Sequence, residues 1–186
     1  DHFKDNLKII NNQIKQIEKL VNEFSDFARM PKPIFRENNI VDIINDNINL
    51  LKELDNSIDI IFNKDLDNIL IESDKEQISR VFLNLIKNSI ESINQKAQIN
   101  SNFNKNITIE LNQDDSHIRV SIEDNGIGFS DLKENIKDIL NPYFTTKKNG
   151  TGLGLSIVNK IVSDHNGKID FIPIKNGAKI DIKFLK

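Results

Sequence analysis

Apolar and polar positions follow three rhythms along this chain. From Phe3 to Ala28 the apolar residues are Phe3, Leu7, Ile10, Ile14, Ile17, Val21, Phe24 and Ala28, in alternating steps of four and three. That is an a/d heptad seam, with Lys, Asn, Glu and Asp between its members. A single helix over 1–30 cannot bury it, so two placements stand: against the rest of the chain, or in a helical hairpin or bundle. The 3.5-residue period favours the bundle. Met30-Pro31-Lys32-Pro33 ends the helix, because proline lacks the N–H and disfavours helix before it. The first segment is therefore expected at 1–33 and a second domain at 34–186.

The later rhythms are shorter. Ile40, Ile43, Ile44, Ile48 and Leu51 predict a helix over 40–54. Ser73-Asp74 caps a longer one over about 75–97, with Ile78, Phe82, Leu85, Ile86, Ser89 and Ile93 inward. Ile58–Phe62 and Ile69–Ile71 read as short strands. Ile107–Leu111 and Ile118–Glu123 read as a pair turning near Asp114-Asp115-Ser116. A helix-like patch spans Leu132–Leu140, and a helix spans 152–164. Lys168–Ile172 and Ala178–Phe184 form a hairpin through Asn176-Gly177. Helices mixed with strands and few βαβ crossovers predict an α+β layered sandwich.

Composition narrows the function. Lys+Arg is 25 and Asp+Glu 28, so a net charge of −3 offers nothing to nucleic acid. The absence of cysteine excludes disulfides, thiolate metal sites and a thiol nucleophile. No run approaches the roughly 18 apolar residues of a membrane span, and no leader pattern opens the chain. The chain starts at Asp1 and its single methionine is Met30, so a piece of a longer protein is expected. Asn, Ile and Lys are abundant, a pattern of AT-rich codons that discounts any lone Asn or Lys.

Four stretches carry candidate chemistry. Asn84 and Asn88, spaced i, i+4, share one helical face. Their amide oxygens are hard ligands suited to Mg²⁺, although an Asn pair also suits a solvated face. Asp124-Asn125-Gly126-Ile127-Gly128-Phe129 follows a strand. Its carboxylate can accept from an exocyclic amine, and its glycines let backbone approach a flat ring; a plain turn is the other reading. Pro142-Tyr143-Phe144-Thr145-Thr146-Lys147-Lys148 offers an aromatic anchor, hydroxyls and cations, or else a charged solvated loop. Gly150-Thr151-Gly152-Leu153-Gly154-Leu155 opens a helix, where backbone N–H groups and the helix dipole favour an anion. It lacks a P-loop's Gly-Lys-Ser/Thr ending and follows no strand, as a dinucleotide turn would; a flexible hinge is the alternative.

In this order, the four stretches resemble the N, G1, F and G2 boxes of the ATP-binding catalytic domain of sensor histidine kinases, in the GHKL superfamily. The resemblance covers about 34–186. Residues 1–33, ending Asp26-Phe27-Ala28-Arg29-Met30-Pro31-Lys32-Pro33, resemble the second helix of the dimerisation and phosphoacceptor hairpin. That ending, with Asn88-Ser89-Ile90-Glu91-Ser92-Ile93, is most similar to the nitrogen-regulation NtrY branch.

The resemblance implies a Bergerat α/β sandwich behind a long coiled-coil or bundle helix, with ATP and Mg²⁺ as cofactors. It implies Asp124 on the adenine amine, with Gly126, Ile127 and Gly128 shaping the pocket. Asn88 would hold Mg²⁺, with Asn84 beside the polyphosphate. Residues 126–150 would form a lid anchored by Phe144. Thr145, Thr146 and Lys147 would contact phosphate, and the backbone of Gly150, Thr151, Gly152, Leu153, Gly154 and Leu155 would cradle it. Hydrolysing relatives carry Glu where Asn84 stands, and an amide is no general base. Phosphoryl transfer to a histidine is therefore expected, resting on positioning and charge neutralisation. A gyrase-like ATPase, an anti-sigma-type serine kinase and a catalytically silent nucleotide-binding module are the alternatives.

Two departures from the pattern stand out. Glu91 and Ser92 replace the basic and aromatic residues common after the second Asn. The acceptor motif is missing: His2 lacks its context, His117 lies in a strand, and His165 sits at a helix C-terminus, where a cation suits the dipole. The acceptor is expected upstream of Asp1. Implied partners are a second copy, forming a homodimer through the N-terminal hairpin, and a response-regulator receiver domain. The implied location is a cytoplasmic domain of an inner-membrane protein, anchored through upstream segments.

Overall fold

The computed structural model describes residues 2–100, 102–129, 136–145, 147 and 150–186. Helix α1 (His2–Ala28) is followed by β1 (Arg36–Asn39), α2 (Ile40–Leu54), β2 (Asp59–Lys64), β3 (Leu70–Ser73) and α3 (Lys75–Ile99). Then come β4 (Asn106–Gln113), β5 (His117–Asp124), a 3₁₀ turn (Ile136–Leu140), α4 (Gly154–Asp164), β6 (Lys168–Ile174) and β7 (Gly177–Leu185).

Alternation explains the main sheet. Ile107, Ile109 and Leu111 of β4, Ile118, Val120 and Ile122 of β5, and Ile180, Ile182 and Phe184 of β7 are buried under the helices. Residues between them, such as Glu110, Arg119 and Lys179, face away, as a two-residue period requires. The strand order is β2-β4-β5-β7-β6. β2 and β4 run parallel, with β3 and α3 between them in the chain, and the other pairs are antiparallel. The expected α+β sandwich is found, with α2, α3 and α4 in one layer.

One strand escaped the pattern. Arg36-Glu37-Asn38-Asn39 has no apolar alternation, yet it pairs antiparallel with β3. Backbone pairing and the Asn38 amide, which donates to Ser73 O at 2.8 Å, hold it. Its last residue caps α2: Asn39 Oδ1 accepts from Val41 N.

Asp74 caps α3 as the sequence predicts. Its Oδ1 accepts from Glu76 N and Gln77 N, each at 3.1 Å, and its Oδ2 from Ile34 N at 2.9 Å. Burial pushes this carboxyl up, but these backbone donors outweigh it and hold the group below the ordinary Asp value. A lowered folded pKa contributes stability above the unfolded pKa that is lost as pH falls through the folded one. Asp74→Ala is expected to cost about 1–2 kcal/mol at neutral pH, with the difference shrinking in acid melts. An equal loss at all pH values would refute the capping account.

His165, at the C-terminus of α4, uses both ring nitrogens. Its Nε2 accepts from Asp74 N at 3.0 Å, and its Nδ1 donates to Ile161 O at 2.8 Å. The histidine is a buried tie between α4 and the start of α3.

Helix α1 leaves its seam open. Phe3, Leu7, Ile10, Ile14, Ile17, Val21 and Phe24 are all exposed. The helix reaches the domain by a different stripe near its end, where Leu20 and Phe27, with Met30 just beyond it, pack on the core.

Candidate functional site

The inward register of β5 runs Ile118, Val120, Ile122, Asp124. A carboxylate thus stands where a fourth apolar residue belongs, only 5% exposed. Burial pushes its pKa up, against hydrogen bonds from Gly126 N–H, the Ser89 hydroxyl and Ala178 N–H, and the field of Lys96. Gly126 N lies 2.9 Å from Asp124 Oδ1. A buried polar group in an apolar row is informative because its desolvation must be offset.

Helix α3 holds the loop after Asp124 through residues the sequence reading discounted or doubted. Ser92 Oγ accepts from Ile127 N at 3.1 Å. A Cβ on Gly126 would lie 2.2 Å from that Oγ, so glycine is required for the close approach. Lys96 Nζ donates to Asn125 O at 2.6 Å and sits over the Phe103 ring. Asn125 ties back to β4, its Oδ1 accepting from Asn106 N at 3.1 Å. Ser89, Ser92 and Lys96 follow Asn88 along one helical face. Spacing from Asn88 was the available signal.

At the other end of the face, Asn84 Nδ2 donates to Arg80 O at 2.9 Å. Its Oδ1 points at α4, where a Cβ on Gly154 would lie 3.4 Å away. Asn39 and Asp74 cap α2 and α3 with side chains, but Leu153, at the cap position of α4, makes no side-chain cap. Its first amides therefore take no acceptor from a capping side chain. The helix starts two residues later than expected because Gly152 is left-handed, with φ 71°. A side chain there would strike the Tyr143 backbone.

The segment before α4 is bonded to it. Tyr143 N donates to Gly152 O at 3.0 Å. Thr145 Oγ1 accepts from Lys147 N at 3.1 Å, and Gly150 N donates to Lys147 O at 3.1 Å. Lys147 Nζ reaches across to Asn88 Oδ1 at 2.8 Å and Glu91 Oε2 at 2.5 Å. Phe144 is half-buried, while Ile139 and Leu153 on either side are buried and Leu155 packs on the core. Of the expected helical patch, Ile136–Leu140 is a 3₁₀ turn and 132–135 lie outside the described residues. Thr146 and Lys148 also lie outside them.

Helix α1 meets this loop. The Thr151 hydroxyl donates to the Glu23 carboxylate, Phe24 stacks on Tyr143 at 6.4 Å, and Asp26 pairs with Arg80 at 3.4 Å.

Residues 73–186 match HATPase_c, the histidine kinase-, DNA gyrase B- and HSP90-like ATPase family. The chain belongs to this family. Within it, the HATPase_c domain here is of the sensor-histidine-kinase type, as the four boxes imply. The chain is 34% identical to an NtrY-like sensor histidine kinase of Rickettsia bellii over 98% of its own length, but spans 29% of that relative's. It is similar to the catalytic domain of histidine kinase ThkA, with TM-score 0.69 and 32% identity, covering 82% of this chain and 96% of that one. It also matches ThkA solved in complex with the response regulator TrrA, with TM-score 0.76 and 29% identity over 99% of this chain and 51% of that one. That second match includes α1, because it extends over nearly the whole chain. Among the described residues no helix is long and apolar enough to cross a membrane.

Proposed function

We propose that this HATPase_c domain binds Mg²⁺–ATP in the cleft between α3, the loop after β5 and the start of α4. The γ-phosphoryl then passes to a histidine outside this chain. Asp124 accepts the adenine amine, and Gly126, Ile127 and Gly128 border the ring. Amides from Gly150 to Leu155 hold the phosphates, with Thr145, Thr146 and Lys147 closing over them. Asn88 is the protein ligand for Mg²⁺, and Asn84 lies beside it toward the phosphates.

The residues suit that ion. Asn88 Oδ1 already faces an ammonium, so it is an acceptor aimed at positive charge. Among the described residues no cluster of His, Asp and Glu could hold a metal alone. Mg²⁺ keeps its waters and phosphate oxygens and takes few protein ligands. When bound, it would neutralise charge on the phosphates.

The observation that carries the reaction class is Asn84. Its oxygen faces the first turn of α4; the hydrolysing relatives that this domain resembles carry Glu in place of this Asn, and an amide cannot take the proton. The domain therefore positions ATP for an incoming imidazole. His165 is no candidate acceptor, since both its nitrogens are engaged.

Further parts of the reading follow. Residues 1–33 act as half of a dimerisation hairpin and 34–186 as the catalytic domain. The exposed seam pairs in a homodimer, and the phosphohistidine passes its group to a receiver-domain aspartate. Mg²⁺ and ATP supplied with a separate acceptor helix should give acid-labile, base-stable phosphohistidine. Release of free phosphate as the main product would replace the kinase reading with a hydrolase one.

A further inference from the structure

Glu91 stands where a basic residue is common, and the four boxes assign it no task. Asn88 and Glu91 are three residues apart on α3, so their side chains are neighbours. Lys147 Nζ sits between them, 2.8 Å from Asn88 Oδ1 and 2.5 Å from Glu91 Oε2. The Lys147 backbone is fixed from the loop side by Thr145 Oγ1 and Gly150 N. The lysine thus ties the loop to α3, with its ammonium placed by one neutral and one charged acceptor. Both side chains of the ion pair are part-exposed, at 35% and 44%. Such a pair adds little to stability, but it decides where a positive charge stands.

We infer that Glu91 is a positioning residue that holds Lys147 on Asn88 in the nucleotide-free protein, so that Asn88 would serve Mg²⁺ only by giving up a resident cation. The inference rests on the reading of this cleft as the Mg²⁺–ATP site. One amide oxygen cannot face a dication and an ammonium closely without strong repulsion. Lys147 therefore leaves Asn88 as the metal arrives. Glu91, one turn along, keeps a charged partner within reach, so the lysine shifts and does not swing into solvent. With ATP that carries no metal nothing displaces the lysine, and its charge is already matched by Glu91. The carboxylate thereby biases the cleft toward metal-loaded nucleotide.

The test is calorimetric titration of the whole chain with ATP, once in excess Mg²⁺ and once in EDTA. Glu91→Gln keeps the shape and removes the charge. Its affinity for metal-free ATP is expected to rise about threefold, while Mg²⁺–ATP affinity stays within about twofold. In a Lys147→Met background the same substitution leaves metal-free affinity within about twofold, because the gain passes through the lysine. Glu91→Asp, which keeps the charge, retains the original preference for the metal-loaded form. An equal gain in the Lys147→Met background overturns the inference, since Glu91 would then only repel phosphate. So does an unchanged metal-free affinity in Glu91→Gln. An unaltered chain that binds ATP in neither condition overturns the nucleotide reading itself, and this inference with it.

Discussion

Asp124→Ala is expected to lower Mg²⁺–ATP affinity at least about a hundredfold. The substitution removes a charged acceptor, worth about 1.5–3 kcal/mol, and strands the adenine amine without a partner at a similar cost. The loss should fall on adenine recognition, so inorganic triphosphate binding should change little. Equal ATP affinity in both proteins would refute the assignment of Asp124.

The same residue gives a signature in pH. Burial, the main influence, raises the folded pKa of Asp124. The folded chain then binds this proton more tightly than the unfolded chain, so stability falls as pH rises from the unfolded pKa through the raised folded one. Asp124→Ala should lack that step in its melting curve against pH. ATP binding should weaken in the unaltered protein as pH drops through the raised value, because the protonated carboxyl loses its charge toward the amine. A flat affinity across that window would count against adenine recognition by a buried carboxylate.

Ile14→Asp is the second large effect expected. Ile10, Ile14 and Ile17 are 54%, 56% and 59% exposed, although they lie in the centre of a regular seam. Burying one isoleucine contributes about 1.5–3 kcal/mol, and a twofold pairing counts it twice. Losing both and placing two carboxylates there should weaken self-association by about a hundredfold or more. Sedimentation should show the unaltered chain associated and the variant monomeric. The domain's melting temperature should hardly change, because Ile14 touches none of its core. A mass unchanged by the substitution would mean that the seam serves some purpose other than self-association.

These outcomes depend on features of unequal visibility in the sequence. Helix α2 is found over the predicted 40–54, and α3 runs two residues past its expected end, because local periodicity and caps suffice to define them. Strand β1 is held by pairing with distant β3 and carries no pattern of its own. The four boxes were legible only together: each alone suits a turn, a loop or a solvated face, and their order along the chain carries the signal. Their supports were not. Ser92 and Lys96 are ordinary helix-surface residues until the loop after β5 folds against them. The open seam was legible, but the stripe of Leu20, Phe27 and Met30 that seats α1 on the core was hidden beneath it.

The stacking of Phe24 on Tyr143 has an optical consequence. The chain holds one tyrosine and no tryptophan. Excited at wavelengths longer than its eleven phenylalanines absorb, the chain emits from a single ring, placed where α1 meets the loop that carries Lys147 and leads into α4. The decay of that emission's polarisation times the ring's motion without any dye. The protein has a built-in clock at the contact between its long helix and its phosphate-side loop.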